Sequence, residues 1–356
     1  MILARFNALC DLKKVTEEQF LLREFGIEIS YEATDQNYSG EQRIIVSDNP
    51  KNWVTLLNTA PPHSLTFFLI GNETYVPEKY AFLNQFKSLK CVLLYNPPKK
   101  APYINIFKSL LGNILDGGFI PTSLPGSIFR DFRNSQFTRK KLNAIKIKYS
   151  YVELPQGYCN SFVNQISTLS PELKMLVAYK YSLFSKEFQS ALENFIKKTQ
   201  TFSYLGQEIH HRRATCLRIA KTKFLVEVPS KIGFGGLVFD GDTTYLKNLL
   251  STKFPLVPPG AFNNYNHRYT ESLITGGLPA ILAQNSLDPS VNDNWTNRLG
   301  FTRGHSFRLL MKYLSKISEI KFEEYYKSSY EAEFKRTRKA YEYFLSRQGD
   351  LFSDSQ

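Results

Sequence analysis

The chain has 356 residues, of which 42% are hydrophobic, and carries a formal net charge of +13 from 45 basic and 32 acidic side chains. That length calls for two folded cores rather than one, and no apolar run reaches the roughly 18 residues that a membrane-spanning helix requires. Cys10, Cys91, Cys159 and Cys216 are too scattered for a zinc site or a disulfide framework, and with Arg5, Asn7 and Asp11 interrupting the apolar N-terminus they predict a soluble, cytoplasmic protein with reduced thiols.

The basic excess predicts an anionic partner: nucleic acid, anionic lipid or a phosphorylated small molecule. Part of it is concentrated in "FRDFRNSQFTRKKLNAIKIK", residues 129–148, which holds seven cations and one acid. That segment reads as a solvated face or as a contact with an anionic membrane surface.

In chain order, the first half alternates short apolar runs with polar loops. "RIIVSD" (43–48), "LTFFLIG" (65–71), "CVLLYN" (91–96) and "YSYVELP" (149–155) have the continuous apolar character of strands buried on both faces of a parallel sheet. Helices are expected between them, over 50–58 and 76–88. Such alternation predicts a doubly wound α/β domain, with Asp48, Gly71 and Asn96 at the strand ends where ligands bind. Residues 170–198 then read as one long linking helix opened by Ser170–Pro171–Glu172.

The alternation resumes with a strand over 201–206, a helix over 208–221 and a strand over 224–229. A glycine-bearing loop follows, with Gly233, Gly235 and Gly236; it has neither a Walker pattern nor a dinucleotide fingerprint, and reads as a loop over the cleft. Next come a helix over 242–251, a strand over 253–260, a further helix and a strand over 278–283. Helices near 304–318 and 320–347 close the chain. The expected organisation is an N-terminal acceptor-binding domain (1–165), a linking helix (166–200), a C-terminal nucleotide-sugar-binding domain (201–320) and a last helix (321–356) returning to the first domain.

The stretch "YNHRYTESLITGGLPAIL", 265–282, places Arg268 three residues before Glu271 where that further helix begins. Asn264 or Asn266 can cap it, and Gly276–Gly277 end it. A helix N-terminus offers unpaired N–H groups to phosphate, and an arginine fork adds charge and bidentate geometry. A carboxylate beside it can accept hydrogen bonds from vicinal hydroxyls. Cation for diphosphate and anion for diol is the chemistry of a nucleotide sugar; the plain alternative is a surface ion pair that supports the helix.

With "FSYLGQEIHHRRATCLRIAK" and "FDGDTTYLKNLLSTKFPLVPPG" before it, this stretch resembles the C-terminal half of exostosin-like (family 47) glycosyltransferases. The resemblance covers 201–283, in the order Phe-x-Gly with a following arginine, Tyr with a leucine pair leading to Pro-x-Gly, and Arg-x-x-Glu-(Ala/Ser)-Leu. It implies a GT-B fold: two Rossmann-like domains facing a central cleft. It further implies a nucleotide-sugar donor, a UDP-sugar by preference, held by Gly206, Arg212 or Arg213, Tyr245, Pro259, Gly260, Arg268 and Glu271. The sequence departs from the family at Thr275–Gly276–Gly277, and nothing in the first 150 residues matches it.

The expected activity is hexosyl or pentosyl transfer from the donor to an oligosaccharide or lipid-linked glycan, in glycan or polysaccharide biosynthesis, inverting and independent of metal. Besides the donor co-substrate no cofactor is expected. Arg268 would stabilise the leaving diphosphate, and the general base would come from Asp48, the best placed, or Asp131, with Asp116 and Glu153 also available. Turn or cap roles compete for each of these. His210 and His211 read as surface or structural residues, and "DGD" (240–242) as a loop and helix cap rather than a metal pair. Two other classes fit the composition. A basic nucleic-acid-binding protein would need a contiguous basic and aromatic stripe, whereas the 28 Phe and 21 Tyr fall mostly on core periodicities. A catalytically inactive glycan-binding protein could share the same fold.

Overall fold

A computed structural model of the chain describes residues 6–10, 17–30, 42–46, 65–69, 90–94, 110–117, 150–152, 155, 157–205, 211–226, 243–258, 267–282, 301 and 305–353. The expectations at Asp48, Gly71, Asn96, Asp131, Glu153, Gly206, His210, Gly233, Gly235, Gly236, Asp240, Asp242, Pro259, Gly260, Asn264 and Asn266 lie outside these residues. So do the helices expected over 50–58 and 76–88 and the basic segment 129–148.

The chain divides into two compact units: Met1–Lys100 with Arg130–Pro155 and Thr337–Gln356, and Ala101–Phe129 with Gln156–Arg336. Both are mixed α/β with parallel strands.

The first unit holds a six-stranded sheet of order β2-β1-β3-β4-β5-β6, parallel throughout. Its strands are β1 (Phe6–Cys10), β2 (Ile27–Ser30), β3 (Gln42–Val46), β4 (Leu65–Leu69), β5 (Lys90–Leu94) and β6 (Ser150–Val152). The last four are the apolar runs picked out from the sequence. Their register places Ala8, Ile44, Phe67 and Val92 in one row across the sheet. Helix α1 (Glu18–Phe25) joins β1 to β2; it buries Phe20, Leu21 and Phe25 and stops at Gly26, whose φ of 63° is left-handed. The Phe25 ring meets Phe20 and Tyr341 edge-on, at 5.6 and 5.9 Å.

The second unit is built on three parallel strands in the order β7-β8-β9: β7 (Gln200–Ser203), β8 (Thr252–Val257) and β9 (Ala280–Ile281). Around them, in chain order, are α2 (110–115), α3 (Asn160–Ile166), α4 (Pro171–Ala178), α5 (Lys186–Glu193), α6 (His211–Phe224), α7 (Thr244–Ser251), α8 (His267–Ile274), α9 (Phe307–Leu314) and α10 (Glu319–Ser353), the last continuing into the first unit. The core forms around Phe254 of β8, whose ring lies 5.7 Å from Phe202 and 5.5 Å from Phe322. Leu217 and Ala220 of α6, and Leu310 and Met311 of α9, belong to the same cluster.

Two expectations change. The single helix expected over 170–198 is two helices, α4 and α5. Lys180 adopts a left-handed φ of 60°, Tyr181 N–H bonds Leu176 C=O and Lys180 N–H bonds Val177 C=O, which closes the end of α4. Ser185 then caps α5 through Phe188 N–H. The strand expected from 224 does not begin there: Phe224 is still helical, and Leu225 turns left-handed at φ 53°.

The two glycines that end α8 do different jobs. Gly276 takes φ 75°, and the N–H groups of Gly276 and Gly277 reach back to Leu273 and Ser272. At Gly277 the constraint is space: a Cβ there would lie 2.9 Å from the Pro255 ring of β8. The chain can therefore leave α8 and enter β9 flush against β8, with Leu278 N–H bonded to Lys253 C=O.

Candidate functional site

Parallel strands end on one edge of their sheet, and loops at that edge carry ligand-binding groups in α/β proteins. In the second unit Tyr204 and Leu205 follow the end of β7 directly, and Arg268 opens α8 after the end of β8. The Arg268 side chain runs to this edge. One of its Nη groups donates to Leu205 C=O at 2.5 Å. The guanidinium carbon lies 4.5 Å from the centre of the Tyr204 ring and 5.8 Å from that of Tyr245, an arrangement in which the ring faces attract the cation.

Arg268 is only partly buried as a residue, yet its Nε is covered and has no hydrogen-bond partner among the described residues. No carboxylate among the described residues pairs with it. Burial draws its pKa down, the Tyr204 and Tyr245 hydroxyls draw it up, and the net direction is upward, so the cation persists at every physiological pH.

Glu271 sits one turn further along α8 and is 2% exposed. Its Oε1 accepts from Cys159 N–H at 2.9 Å, at the start of α3, and its Oε2 accepts from the Tyr245 hydroxyl. Burial first, and then the Glu271 charge, push the Tyr245 pKa well up, so the phenol keeps its proton and donates. Tyr245 thereby bridges the two charges: its ring lies beside Arg268 and its hydroxyl binds Glu271. The start of α7 is held from the same side, since Gln165 of α3 accepts from Leu246 N–H at 3.0 Å.

These contacts correct the picture of a surface helix carrying an exposed pair. Tyr269 through Ile274 are all buried, because α8 is covered by several elements at once. Val257, Ile281, Tyr326 and Tyr330 pack around Tyr269 and Leu273. Thr270 donates to Glu333 of α10 at 2.7 Å, and Tyr326 donates to Leu273 C=O at 3.0 Å. Arg268 and Glu271 form no ion pair with each other. Glu271, expected to bind sugar hydroxyls, is buried with a protein donor on each oxygen, and through those bonds it holds Tyr245 and the start of α3.

Of the other expected site residues, Tyr245 joins the cluster. Arg213 and the backbone of Arg212 lie in the first described turn of α6, which follows β7. Asp48, Asp131, Gly206, Pro259 and Gly260 lie outside the described residues. Asp116, a candidate base, is engaged as a helix cap: it accepts from Ser306 Oγ at 2.5 Å and from the N–H groups of Phe307 and Arg308 at 2.8 and 3.3 Å, at the start of α9. Those contacts engage the carboxylate in holding the start of α9.

Sequence reasoning passed over Tyr204, Gln165 and the backbone of Cys159. Tyr204 stands two residues before the singled-out Gly206 and could have been found as an aromatic at a strand end. Cys159 lies 112 residues from Glu271 and carried no signal. No family model matches this chain, and no match is found among curated proteins or solved structures. Among the described residues no group of His, Cys, Asp and Glu could hold a metal ion, and no helix is long and apolar enough to cross a membrane.

Proposed function

We propose that the chain is a glycosyltransferase resembling the exostosin-like enzymes of GT-B fold, and that its second unit binds the diphosphate of a nucleotide-sugar donor through Arg268. One observation carries this: Arg268 is a recessed, permanent cation at the C-terminal edge of parallel strands, with an unbonded Nε and no carboxylate partner among the described residues. A desolvated charge without a counter-ion is costly unless something supplies one, and a diphosphate fits both the charge and the donor fork. The tyrosines on which the guanidinium rests give it a fixed direction, and Glu271 fixes Tyr245.

In the proposed reaction the acceptor hydroxyl attacks the anomeric carbon as its bond to the diphosphate breaks. Negative charge grows on the leaving diphosphate, so Arg268 acts most strongly in the transition state. The first unit is assigned the acceptor, with Asp48 or Asp131 as the base that takes its proton. Arg212 or Arg213, at the start of the neighbouring α6, would contribute a second positive charge to the donor.

Calorimetric titration of the full chain with UDP, GDP and dTDP tests the proposal. One of the three should bind, and Arg268→Gln should weaken that nucleotide by about 10- to 100-fold, the value of a charged hydrogen bond. Absence of binding by all three, or unchanged affinity in the variant, sinks the assignment.

A further inference from the structure

We propose that the surface formed by α2, the outward stripe of α6 and the outward stripe of α9 docks on an anionic lipid bilayer. A surface helix ordinarily buries its large apolar side chains and shows polar ones to water. Helix α2 does the reverse. It buries Gly112 and Asn113 and exposes Leu111, Ile114 and Leu115, which share one face by their i, i+3, i+4 spacing. Ile114 is 52% and Leu115 57% exposed, while Asn113 is 3% exposed. Leu309, in the first turn of α9, is exposed too, and Leu225, directly after α6, is 86% exposed. Leu225 is held in its left-handed conformation as the chain leaves α6, with Val226 N–H bonded to Ala220 C=O at 3.1 Å.

Polar bonds tie the three helices into one surface. Asp116, at the end of α2, holds the start of α9 through Ser306 and the N–H groups of Phe307 and Arg308. Arg218 of α6 donates to Gly117 C=O at 2.8 Å, just past α2. Beneath these bonds, Leu217 and Ala220 of α6 share a core cluster with Leu310 and Met311 of α9. Arg218, Arg308 and Leu309 therefore stand at the end of α2, next to Ile114 and Leu115.

The charge on this surface selects the occupant. Residues 209–226 hold five cations and no acid, and residues 294–318 hold five more and again no acid. The balance survives a strict count. With Lys221 set aside, and Glu319 set against its partner Lys253, the exposed cations are Arg218, Lys223, Arg308, Lys312, Lys316 and the adjoining Lys321. Against these six stand three acids, Asp116 and, at the head of α10, Glu323 and Glu324. The exposed apolar groups are all aliphatic, and no Phe, Tyr or Trp of the three helices is exposed. That disfavours single-stranded nucleic acid, whose bases stack on aromatic rings. An anionic bilayer supplies an apolar phase for the aliphatic groups and negative headgroups for the cations together. A second copy of the same face would set cation against cation, which opposes self-association.

Co-sedimentation of the full chain with phosphatidylcholine vesicles, with and without about one third phosphatidylserine, tests this. Binding should require the anionic lipid and weaken as salt is raised. Each basic side chain near the surface is worth roughly a fivefold change in partitioning, so Arg308→Glu with Lys312→Glu should reduce binding by about tenfold or more. Ile114→Ser with Leu115→Ser should reduce it by a similar factor and keep the thermal midpoint within about 3 °C of wild type, because neither side chain is buried. A larger fall in that midpoint would show that the chain itself covers α2, and overturns the proposal. Equal partitioning on neutral and anionic vesicles overturns it too, as does wild-type binding by either double variant. Retention of a single-stranded oligonucleotide but not of anionic vesicles overturns it in favour of nucleic acid. Concentration-dependent dimerisation of the wild type, abolished by Ile114→Ser with Leu115→Ser, overturns it in favour of a second copy.

Discussion

Two charges lie against helix α8, and the protein treats them in opposite ways. Glu333 of α10 is buried and fully answered: Thr270 donates to it at 2.7 Å, and Arg336 donates twice, at 2.9 and 3.0 Å. Arg268, at the start of α8, receives one carbonyl and two ring faces but no carboxylate among the described residues. The first arrangement is closed, and its energy is spent holding α10 to α8. The second leaves the cation without a carboxylate among the described residues, which is why it is proposed as the anion site. Lys198 supplies an instructive third case. Its Nζ lies between the carbonyls of Leu249 and Thr275, near the ends of α7 and α8, at 3.0 and 2.7 Å. Burial lowers its pKa to about 7. A lysine without a carboxylate can shed its proton; an arginine cannot.

The strongest way to break the comparison is Glu333→Ala, which removes the charged acceptor of Arg336 and of the Thr270 hydroxyl. It should cost about 3–5 kcal/mol, read as a lower urea midpoint at unchanged slope. A cost below about 1 kcal/mol would show that the Glu333 network is as open as the surroundings of Arg268.

Arg268→Ala should do the reverse. Relief of an uncompensated cation offsets the lost carbonyl bond and ring contacts, so stability should change by less than about 1 kcal/mol. Turnover with the nucleotide sugar that binds should fall on the order of 100-fold. If the variant unfolds while residual folded protein keeps full activity, Arg268 belongs with the closed class.

Glu271→Gln separates support from substrate contact. The amide can no longer give Cys159 N–H and the Tyr245 hydroxyl a charged acceptor, so stability should drop by about 2 kcal/mol in a denaturant titration. Donor affinity, measured on the folded variant, should fall less than for Arg268→Gln. A larger loss of affinity with no loss of stability would restore Glu271 as a direct ligand of the sugar.

The smallest effect is a difference in pH dependence. Because the folded-state pKa of Lys198 lies below the ordinary 10.5, the unfolded chain binds more protons between about pH 7 and 10.5, and stability gains with rising pH across that window. Lys198→Met should lack this gain. Parallel stability–pH curves for wild type and variant would mean that the ammonium stays charged between its two carbonyls.

Much of the framework was readable from local pattern. Strands β3 to β6 stand out because parallel strands covered on both faces become short continuous apolar runs, as in "LTFFLIG" and "CVLLYN". The end of α8 was readable too, since a glycine pair answers needs that other residues meet poorly. The break between α4 and α5 was not: it depends on Lys180 holding a left-handed conformation that lysine does not favour by itself, and helical spacing of apolar residues runs straight through it. In the candidate site, Arg268 was singled out by its place with Glu271 at the start of a helix, and Tyr245 by the resemblance to exostosin-like enzymes. What they do there rests on Tyr204, Leu205 and Cys159, which approach from other elements.

The sequence by itself determined the parallel strand–helix alternation, the stopping point of α8 and the excess of positive charge, because each follows from spacing and composition within a few turns of chain. Tertiary structure alone decided which charges are answered. Glu271 became a buried anchor when α3 brought Cys159 N–H to it, Glu333 was closed by Arg336 and Thr270, and Arg268 met no carboxylate among the described residues. It also decided that α4 buries Leu173 while Met175 stays exposed. Burial and pairing are properties of neighbours in space, and these neighbours lie far apart in the chain.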